Sequence, residues 1–285
     1  MALGILTNVA ATYAENNLNQ TQSSLQSVLQ QLSSGSRINS GADDAAGLSV
    51  ADGLHANEAA LTQSAQNATN GVGLLQTADG ALSQVTNLLD RAVTLATEAS
   101  NGGLTAAQSS AADTEFQSIV TEIGNIGSST NFNSTGVFSA TATDFVVSDG
   151  TTAGTTTIAA TVGALTNASI GTATGGGAGI DLSAQVLTSQ TAAQTALSKI
   201  TDAIADVANQ RGAIGANINQ LNAAANVASS EEVNLSSAES NVRSTNYGQA
   251  TSDLAKYQVL SQTGISALAQ ANSVQQEILD RKSVV

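Results

Sequence analysis

The sequence predicts a mainly α-helical protein. We expect an elongated, coiled-coil-like helical rod, formed by paired N- and C-terminal helices, with a small β-rich insert at the centre of the chain. Three observations support this fold class. The 285 residues contain no proline, which removes the strongest helix breaker. Apolar residues recur at alternating intervals of three and four over long stretches. Aromatic residues make up only 2% of the chain, so a thick core of large aromatic side chains is not expected.

The first predicted helix covers about residues 5–32 and carries a heptad-like seam. Its polar positions are Gln, Asn, Ser and Thr, and Glu15 is the only charged residue before Arg37. Exposed helix faces usually carry Lys and Glu, which keep them soluble. We therefore expect this helix to be surrounded by other protein. The leucines of the seam recur every seventh residue: Leu18, Leu25 and Leu32.

A break follows at residues 32–54, with the sequence LSSGSRINSGADDAAGLSVADGL. A second helix comes after it, with nearly unbroken 4-3 apolar spacing over roughly 45 residues. The glycines of SNGGLT, at residues 100–105, end it. Gly71, Gly73 and Gly80 lie inside this helix. Because each costs roughly 1 kcal/mol relative to Ala, they predict either close approach of another helix or a bend.

A third helix is predicted at about residues 105–127, followed by the loop GSSTNFNSTGVF. Residues 138–185 are rich in Thr, Gly, Ala and Val. The β-branched runs on either side of SDG predict a small hairpin. The stretch GTATGGGAGI is interpreted as a flexible glycine-rich loop.

Helical spacing returns from Ala193 to Ala228, where Arg211 is the one seam position that is not apolar. Its charge must be paired or reach the edge of the seam. The last predicted helix covers about residues 247–279 and has no charge between Lys256 and Glu277. It mirrors the first helix, so we expect the two ends to pair and the two inner helices to pair. Its apolar stripe includes Tyr257, Leu260 and Leu268.

The sequence offers little catalytic chemistry. His55 is the only histidine, HExxH is absent and there is no cysteine. Asp43 and Asp44 are adjacent, and adjacent carboxylates seldom converge on one atom, so they are interpreted as acids that favour a helix start. We expect no enzyme activity, no cofactor, and no catalytic, cofactor-binding or metal-binding residue.

Charge excludes other classes of partner. The net charge is −14, and residues 92–198 contain neither Lys nor Arg. Nucleic-acid binding needs a basic stripe, and an anionic membrane surface attracts basic rather than acidic chains. No run reaches transmembrane length, and the N-terminal sequence lacks the features of the common cleavable signal.

Three stretches closely resemble bacterial flagellins, and the likeness covers about residues 1–135 and 191–285. They are LSSGSRINSGADDAAGLSVADGL, LTQSAQNATNGVGLLQTADGALSQVTNLLDRAVTLATEAS and VLSQTGISALAQANSVQQEIL. The resemblance implies a structural subunit that self-polymerises into the flagellar filament, a secreted extracellular assembly. The alternative is a hook–filament junction protein, which shares parts of the terminal helices but assembles only in small rings. LLQTADGAL and LAQAN favour flagellin. A second alternative, an enzyme-bearing flagellin or secreted hydrolase, is disfavoured by the lone histidine.

The resemblance also implies a domain plan. Residues 1–40 and 247–285 would form the inner core that lines the filament lumen. Residues 41–137 and 186–246 would form the outer helical core, and residues 138–185 the variable insert that faces outward. Terminal helices of this family are disordered in the free subunit and fold on assembly.

Partners and contact residues follow from the same resemblance. Subunits leave through the flagellar type III channel and are added beneath a cap, and an export chaperone binds the C-terminal helix. The break would connect the terminal helix to the long helices, with polar contacts from Arg37, Ile38, Asn39, Asp43 and Asp44. An Arg, a Leu four positions on and a Glu on the next helix are shared by flagellins that the Toll-like flagellin receptor recognises. Here they correspond to Arg91, Leu95 and Glu115.

Overall fold

The computed structural model describes residues 8–150, 156–173 and 177–283, and this part of the chain is mainly α-helical, as predicted. The helices are α1 (Val9–Ser34), α2 (Ala45–Ala99), α3 (Ala106–Ser129), α4 (Gln190–Arg243) and α5 (Tyr247–Ser283). The strands are β1 (Asn131–Phe132), β2 (Thr135–Gly136), β3 (Thr143–Val146), β4 (Thr157–Ala160), β5 (Ile170–Ala173) and β6 (Gly177–Ile180). Each of the three strand pairs is antiparallel.

The long helices extend further than the spacing predicted. α2 has 55 residues, because it begins at Ala45, inside the stretch 32–54 that was predicted as a break. The prediction was wrong for residues 45–54, and the break is confined to residues 35–44. Asp44 precedes α2, and its Oδ1 accepts a hydrogen bond from the Gly47 amide at 2.8 Å, which satisfies one of the unpaired amides of the first turn. α4 runs without interruption to Arg243. α3 begins with a capping box between Thr105 and Gln108.

The chain divides into two compact units, residues 1–56 with 235–285, and residues 57–234. In the first unit α1 and α5 pair, as predicted for the two terminal helices. The Asn8 side chain donates to the Ala271 carbonyl at 2.9 Å, and the Thr245 hydroxyl donates to the Gln31 carbonyl at 3.3 Å. The N-terminal end of α1 therefore meets the C-terminal half of α5, and the pair is antiparallel.

The second unit holds the main hydrophobic core. Side chains from α2, α3, α4 and the insert meet there, and many are completely inaccessible to water. The inner long helices contact one another across this core, as predicted. The largest fully buried side chains of this unit are Leu75, Leu82, Leu89, Phe116, Ile123, Ile170, Leu182, Leu187, Ile200, Ile214 and Leu221.

The glycines inside α2 do not interrupt the helix, and one of them permits close packing. A Cβ on Gly71 would lie 2.9 Å from Leu221 Cδ1 and 3.1 Å from the Phe145 ring. A Cβ on Gly73 would lie 3.4 Å from Phe132. Gly80, in contrast, has nothing within 4 Å. Close approach accounts for Gly71. A Cβ at Gly73 would make only ordinary van der Waals contact, and one at Gly80 would contact nothing, so packing does not explain those two glycines.

The central insert contains more regular structure than the sequence predicted. β3 and β4 form the hairpin predicted around SDG, and its turn residues 151–155 lie outside the described residues. Within the predicted loop GSSTNFNSTGVF, β1 and β2 form a tight hairpin whose turn residues Asn133 and Ser134 have φ of 50° and 63°. Two successive positive φ values are typical of a type I′ turn.

The prediction that GTATGGGAGI is a loop was wrong for its described residues. β5 and β6 pair there, with Ile170 opposite Ile180, and residues 174–176 lie outside the description. Glycine allows this pairing because a side chain on Gly179 would overlap the main-chain oxygens of Ile170 and Gly171. Gly171 itself has φ of 77°, in the left-handed region that glycine tolerates.

Candidate functional site

The break between α1 and α2 is an ordered segment that closes onto the junction of α4 and α5. Gly35 ends α1 in the left-handed conformation, and its amide donates to the Gln31 carbonyl at 2.9 Å. Ser36 forms an isolated antiparallel bridge with Ser244. The Arg37 amide donates to the Arg243 carbonyl at 2.7 Å. These main-chain bonds fix the direction in which the chain leaves α1.

The contacts of Arg37 explain why a basic residue lies in the break. Its Nη2 donates to the Val242 carbonyl at 3.0 Å and lies 3.8 Å from Asp44 Oδ2. Val242 is in the last turn of α4, where carbonyls have no intrahelical partner and carry the negative end of the helix dipole. A guanidinium group therefore joins the end of α4 to the start of α2.

The two aspartates of the break have separate structural roles. Asp43 Oδ2 accepts hydrogen bonds from the main-chain N–H groups of Asn39 and Ser40 at 3.0 and 2.8 Å, and from the Ser40 hydroxyl. These donors, the Asn39 amide first, lower the pKa of the Asp43 carboxyl. Asp44 instead caps α2. The pair fixes the turn and the helix start, and no catalytic dyad forms.

Ile38 anchors the same segment. Its side chain is 1% exposed, and a Cβ on Gly47 would lie only 2.8 Å from Ile38 Cδ1. The Asn39 side chain donates to the Ser36 carbonyl at 2.8 Å. The five residues that the sequence singled out in the break therefore lie in one hydrogen-bonded segment, which Arg37 joins to the end of α4. They are Arg37, Ile38, Asn39, Asp43 and Asp44.

The α1–α5 pair has a thin interface. On α1, Val28 is the only buried residue among the described ones, and it is still 9% exposed. The predicted seam residues Leu18, Leu25, Leu32, Tyr257 and Leu268 are half-buried, and Leu260 is 42% exposed. Within the described parts of α1 and α5 no ion pair forms. α1 has one charged residue, Glu15, and α5 has none between Lys256 and Glu277. Two helices with few charges therefore present most of their surface to water.

Large apolar side chains are exposed on this pair, and sequence reasoning did not select most of them. The missing charges of these helices were the signal that could have located them, since 4-3 spacing identifies only the seam between α1 and α5. Soluble single chains rarely leave extended apolar surfaces uncovered. The exposed residues on α1 and α5 are Val9, Tyr13, Leu29, Tyr247, Val259, Leu260, Ile265 and Val274.

Comparison with known proteins decides the family. Residues 5–143 match the family described as "Bacterial flagellin N-terminal helical region", and residues 197–280 match "Bacterial flagellin C-terminal helical region". The chain is 31% identical to a flagellin of Halalkalibacterium halodurans over 95% of this chain and 97% of the other. This chain belongs to the bacterial flagellin family. It is 30% identical to a flagellin of Listeria innocua over 95% of this chain and 96% of that one. Bacillus cereus flagellin, whose crystal structure covers 57% of this chain and 88% of its own, has a TM-score of 0.45 and 24% identity.

As a flagellin, the chain is a subunit of the bacterial flagellar filament and assembles with copies of itself. The family consists of structural filament proteins and not of enzymes. The hook–filament junction alternative is not favoured, because the matches that span the whole chain are to flagellins. Among the described helices, none combines the length and apolarity needed to cross a membrane.

Two ion pairs of this flagellin lie in the second unit. Arg211 donates from Nε and Nη2 to Asp79 at 2.7 and 3.3 Å, so of the two possibilities that the sequence left open for this charge, pairing is the one observed. Arg91 Nε donates to Glu115 at 2.7 Å, and this hydrogen bond lowers the pKa of the Glu115 carboxyl. Arg91 and Glu115 are about half exposed, whereas Leu95, between them in the predicted receptor set, is 3% exposed.

Proposed function

We propose that this flagellin polymerises through its terminal helices, which become covered by those of neighbouring subunits. The exposed apolar surface of the α1–α5 pair carries the proposal. Ordering a residue costs about 1–2 kcal/mol of backbone entropy, and a thin two-helix seam offsets little of it. Burial of further apolar surface contributes about 25 cal/mol per Å². Many-sided contact with other subunits is therefore what stabilises these helices, and folding is coupled to assembly.

The proposed domain plan follows from this coupling. Residues 1–40 and 247–285 form the inner core around the lumen, and residues 41–137 and 186–246 form the outer core. Residues 138–185 face outward. The contrast between an exposed helix pair with few charges and a second unit with its own hydrophobic core supports this order. A unit with its own core needs less help from neighbours.

The break is proposed to set the direction of the terminal helices relative to the start of α2 in each subunit. The hydrogen bonds of Arg37, Asp43 and Asp44, together with buried Ile38, support this role. In a helical polymer a small change of direction would be repeated at every subunit. Substitutions in this segment are therefore expected to alter filament assembly more than the stability of the second unit.

Seeded polymerisation tests the proposal. Purified full-length chain is added to short filament fragments, beside a variant that lacks residues 1–32 and 256–285, and filament length is measured by electron microscopy. Elongation by the full chain alone supports polymerisation through the terminal helices. Elongation by the truncated chain would overturn it. Circular dichroism of the truncated chain serves as the control, because the second unit should retain its helices.

Export and capping are proposed on the same basis. The subunit leaves the cell through the flagellar type III channel and meets cap and junction proteins at the filament ends. An export chaperone binds the C-terminal helix, where Val259, Leu260 and Ile265 are exposed. Coexpression with a chaperone of this class should yield a soluble complex with the full chain. No complex should form with the variant that ends before residue 256.

A contact with the Toll-like flagellin receptor is proposed for Arg91 and Glu115. Both side chains are exposed and lie on neighbouring helices, joined by their ion pair. Leu95 is buried, so its part in this contact would be to hold α2 against the core. Loss of receptor activation by monomeric Arg91→Ala, with the helical content unchanged, supports the contact. Full activation by that variant would exclude it.

A further inference from the structure

A buried polar pair joins α4 to the central insert. Asp206 and Gln210 lie one turn apart on the same face of α4 and are 9% and 2% exposed. Gln210 Nε2 donates to the Val162 carbonyl. A Cβ on Gly171 would lie 2.6 Å from the main chain of Asp206. The insert segment 156–173 therefore lies directly on this face.

When Asp206 is ionised, two buried oxygens of this pair lack a hydrogen-bond donor. Asp206 Oδ2 and Gln210 Oε1 are both buried and have no hydrogen-bond partner. The Gln210 amide nitrogen is already engaged, and an ionised carboxylate can only accept. Two buried acceptors then remain on one helix face. Unpaired buried acceptors are rare and costly.

Protonation of Asp206 supplies the missing hydrogen-bond donor. A carboxylic acid has an O–H donor, and residues at i and i+4 are neighbours on a helix surface. A protonated Asp206 therefore brings an O–H donor to the helix face that carries Gln210 Oε1, and Gln210 itself donates to the Val162 carbonyl. A hydrogen bond between the two side chains would give both unpaired oxygens a partner.

The surrounding charges favour the neutral form. Burial, first, and the charge of Asp202, second, raise the pKa of Asp206. Segment 156–173 contains no ionisable side chain, and Arg211 is engaged by Asp79. The other ionisable side chains of the neighbouring elements are exposed or have another partner: Asp90, Asp113, Glu115, Glu122, Asp181 and Lys199.

We propose that Asp206 is a protonation switch for the docking of insert segment 156–173 onto α4. Protonated Asp206 completes the chain of hydrogen bonds from α4 to the insert. Ionised Asp206 is a buried, unpaired carboxylate. Its unfavourable burial ends when segment 156–173 separates from α4 and water hydrates the carboxylate. The outer part of the subunit is therefore held most firmly in acid and loosens as the pH rises.

The raised pKa of Asp206 determines the direction in which docking depends on pH. The ordinary value for Asp is 3.8, and in the docked state the pKa lies above it. The docked state thus binds more protons than the open state between these two values. Docking is strongest below 3.8, weakens as the pH rises through the raised pKa, and is constant above it.

Hydrogen–deuterium exchange of the full-length monomer tests the switch. The opening constants of amides in segment 156–173 are obtained between pH 3.5 and 8 by dividing measured by intrinsic exchange rates. We expect the opening constant to rise by up to about tenfold per pH unit within the window between 3.8 and the raised pKa. Asp206→Asn is neutral at every pH and can donate from its amide, so its opening constants should be low and independent of pH.

Asp202→Asn is the matched control, because it removes an exposed carboxylate one turn away. It should retain the pH-dependent step, moved to lower pH. Identical profiles for the wild type and Asp206→Asn would overturn the proposal. If segment 156–173 is open at every pH in Asp206→Asn, the proposal is tested instead by the pH titration of the Asp206 carboxyl ¹³C resonance in the wild type. A titration midpoint above 3.8 supports the switch, and a midpoint at or below 3.8 overturns it.

Discussion

Arg37 donates a hydrogen bond from Nη2 to the main-chain carbonyl of Val242 at 3.0 Å, although 205 residues separate them in sequence. The contact joins the segment after α1 to the last turn of α4. It gives the chain a fixed point at which its N- and C-terminal parts meet. The same guanidinium group lies beside Asp44, which caps α2.

Removing this guanidinium group should weaken filaments. Arg37→Ala leaves the Val242 carbonyl to water and removes a contact to Asp44. A net hydrogen bond contributes about 0.5–1.5 kcal/mol, and the exposed ion pair adds little. We expect roughly 1 kcal/mol lost per subunit, measured as a lower temperature of filament dissociation. Arg37→Lys keeps the charge and should lose less, and an unchanged dissociation temperature for Arg37→Ala would contradict the assigned role.

Asp43 should make filament stability depend on pH in the acid range. Its pKa is lowered below 3.8 by the Asn39 amide, then the Ser40 amide and hydroxyl. The stabilisation is therefore present above 3.8 and is lost as the pH falls through the lowered pKa. Asp43→Asn filaments should dissociate more readily than wild type at pH 7. The difference should shrink as the pH falls below 3.8, and a difference that grows in acid would refute this assignment.

Two glycine-to-alanine changes should have opposite signs. At Gly127 in α3 an added Cβ would overlap the Leu165 carbonyl oxygen and lie 2.8 Å from its carbon. Overpacking costs about 1–3 kcal/mol, and here rigid main chain would have to move, so the gain of roughly 1 kcal/mol in helix propensity is outweighed. Gly127→Ala should lower the free energy of unfolding of the monomer in urea, followed by circular dichroism.

Gly80→Ala is the control for that experiment. Gly80 lies inside α2 with nothing within 4 Å of the new methyl group. The variant should be more stable than wild type by about 0.5–1 kcal/mol, because alanine loses less backbone entropy. Equal effects of the two substitutions would show that the insert does not pack against α3 as described.

The Arg211–Asp79 pair should contribute more than the Arg91–Glu115 pair. The side chains of Arg211 and Asp79 are 37% and 39% exposed, whereas those of Arg91 and Glu115 are 53% and 47% exposed. Arg211 also makes two hydrogen bonds to Asp79. Partly exposed pairs are screened by water, so we expect a coupling energy of about 0.5–1 kcal/mol. Double-mutant cycles with Arg211→Met and Asp79→Asn, read from urea unfolding, measure it. A larger coupling for Arg91 with Glu115 would contradict this order.

The sequence predicted the helices well because their 4-3 spacing is local information. It also located the start of the break, since glycine, serine and aspartate there interrupt that spacing, but it extended the break to residue 54, whereas α2 begins at Ala45. It could not identify the partner of Arg37, because Val242 contributes a main-chain carbonyl that no residue type marks. The β5–β6 hairpin was missed for a related reason. GTATGGGAGI lacks the β-branched alternation of a strand, and its pairing depends on the absence of side chains at Gly171 and Gly179.

The candidate site was predicted only in part. The seam leucines were found from their spacing, yet Val259 and Ile265 lie off that spacing and are exposed. A single chain's periodicity describes the contacts within that chain. A surface proposed to contact other subunits therefore need not follow the spacing of the α1–α5 seam. The scarcity of charge on α1, and on α5 between Lys256 and Glu277, is the sequence feature that points to it.

Polymerisation through the terminal helices is tested most directly by the accessibility of the exposed α5 surface before and after assembly. The chain has no cysteine, so a single Val259→Cys or Ile265→Cys provides a unique thiol on α5, where the native side chains are 62% and 52% exposed. Thr157→Cys, on the exposed side of β4, is the control on the insert. We expect rapid maleimide labelling of all three monomers, and in filaments strong protection of the α5 thiols alone. Equal labelling of the α5 thiols in monomer and filament would contradict polymerisation through the terminal helices.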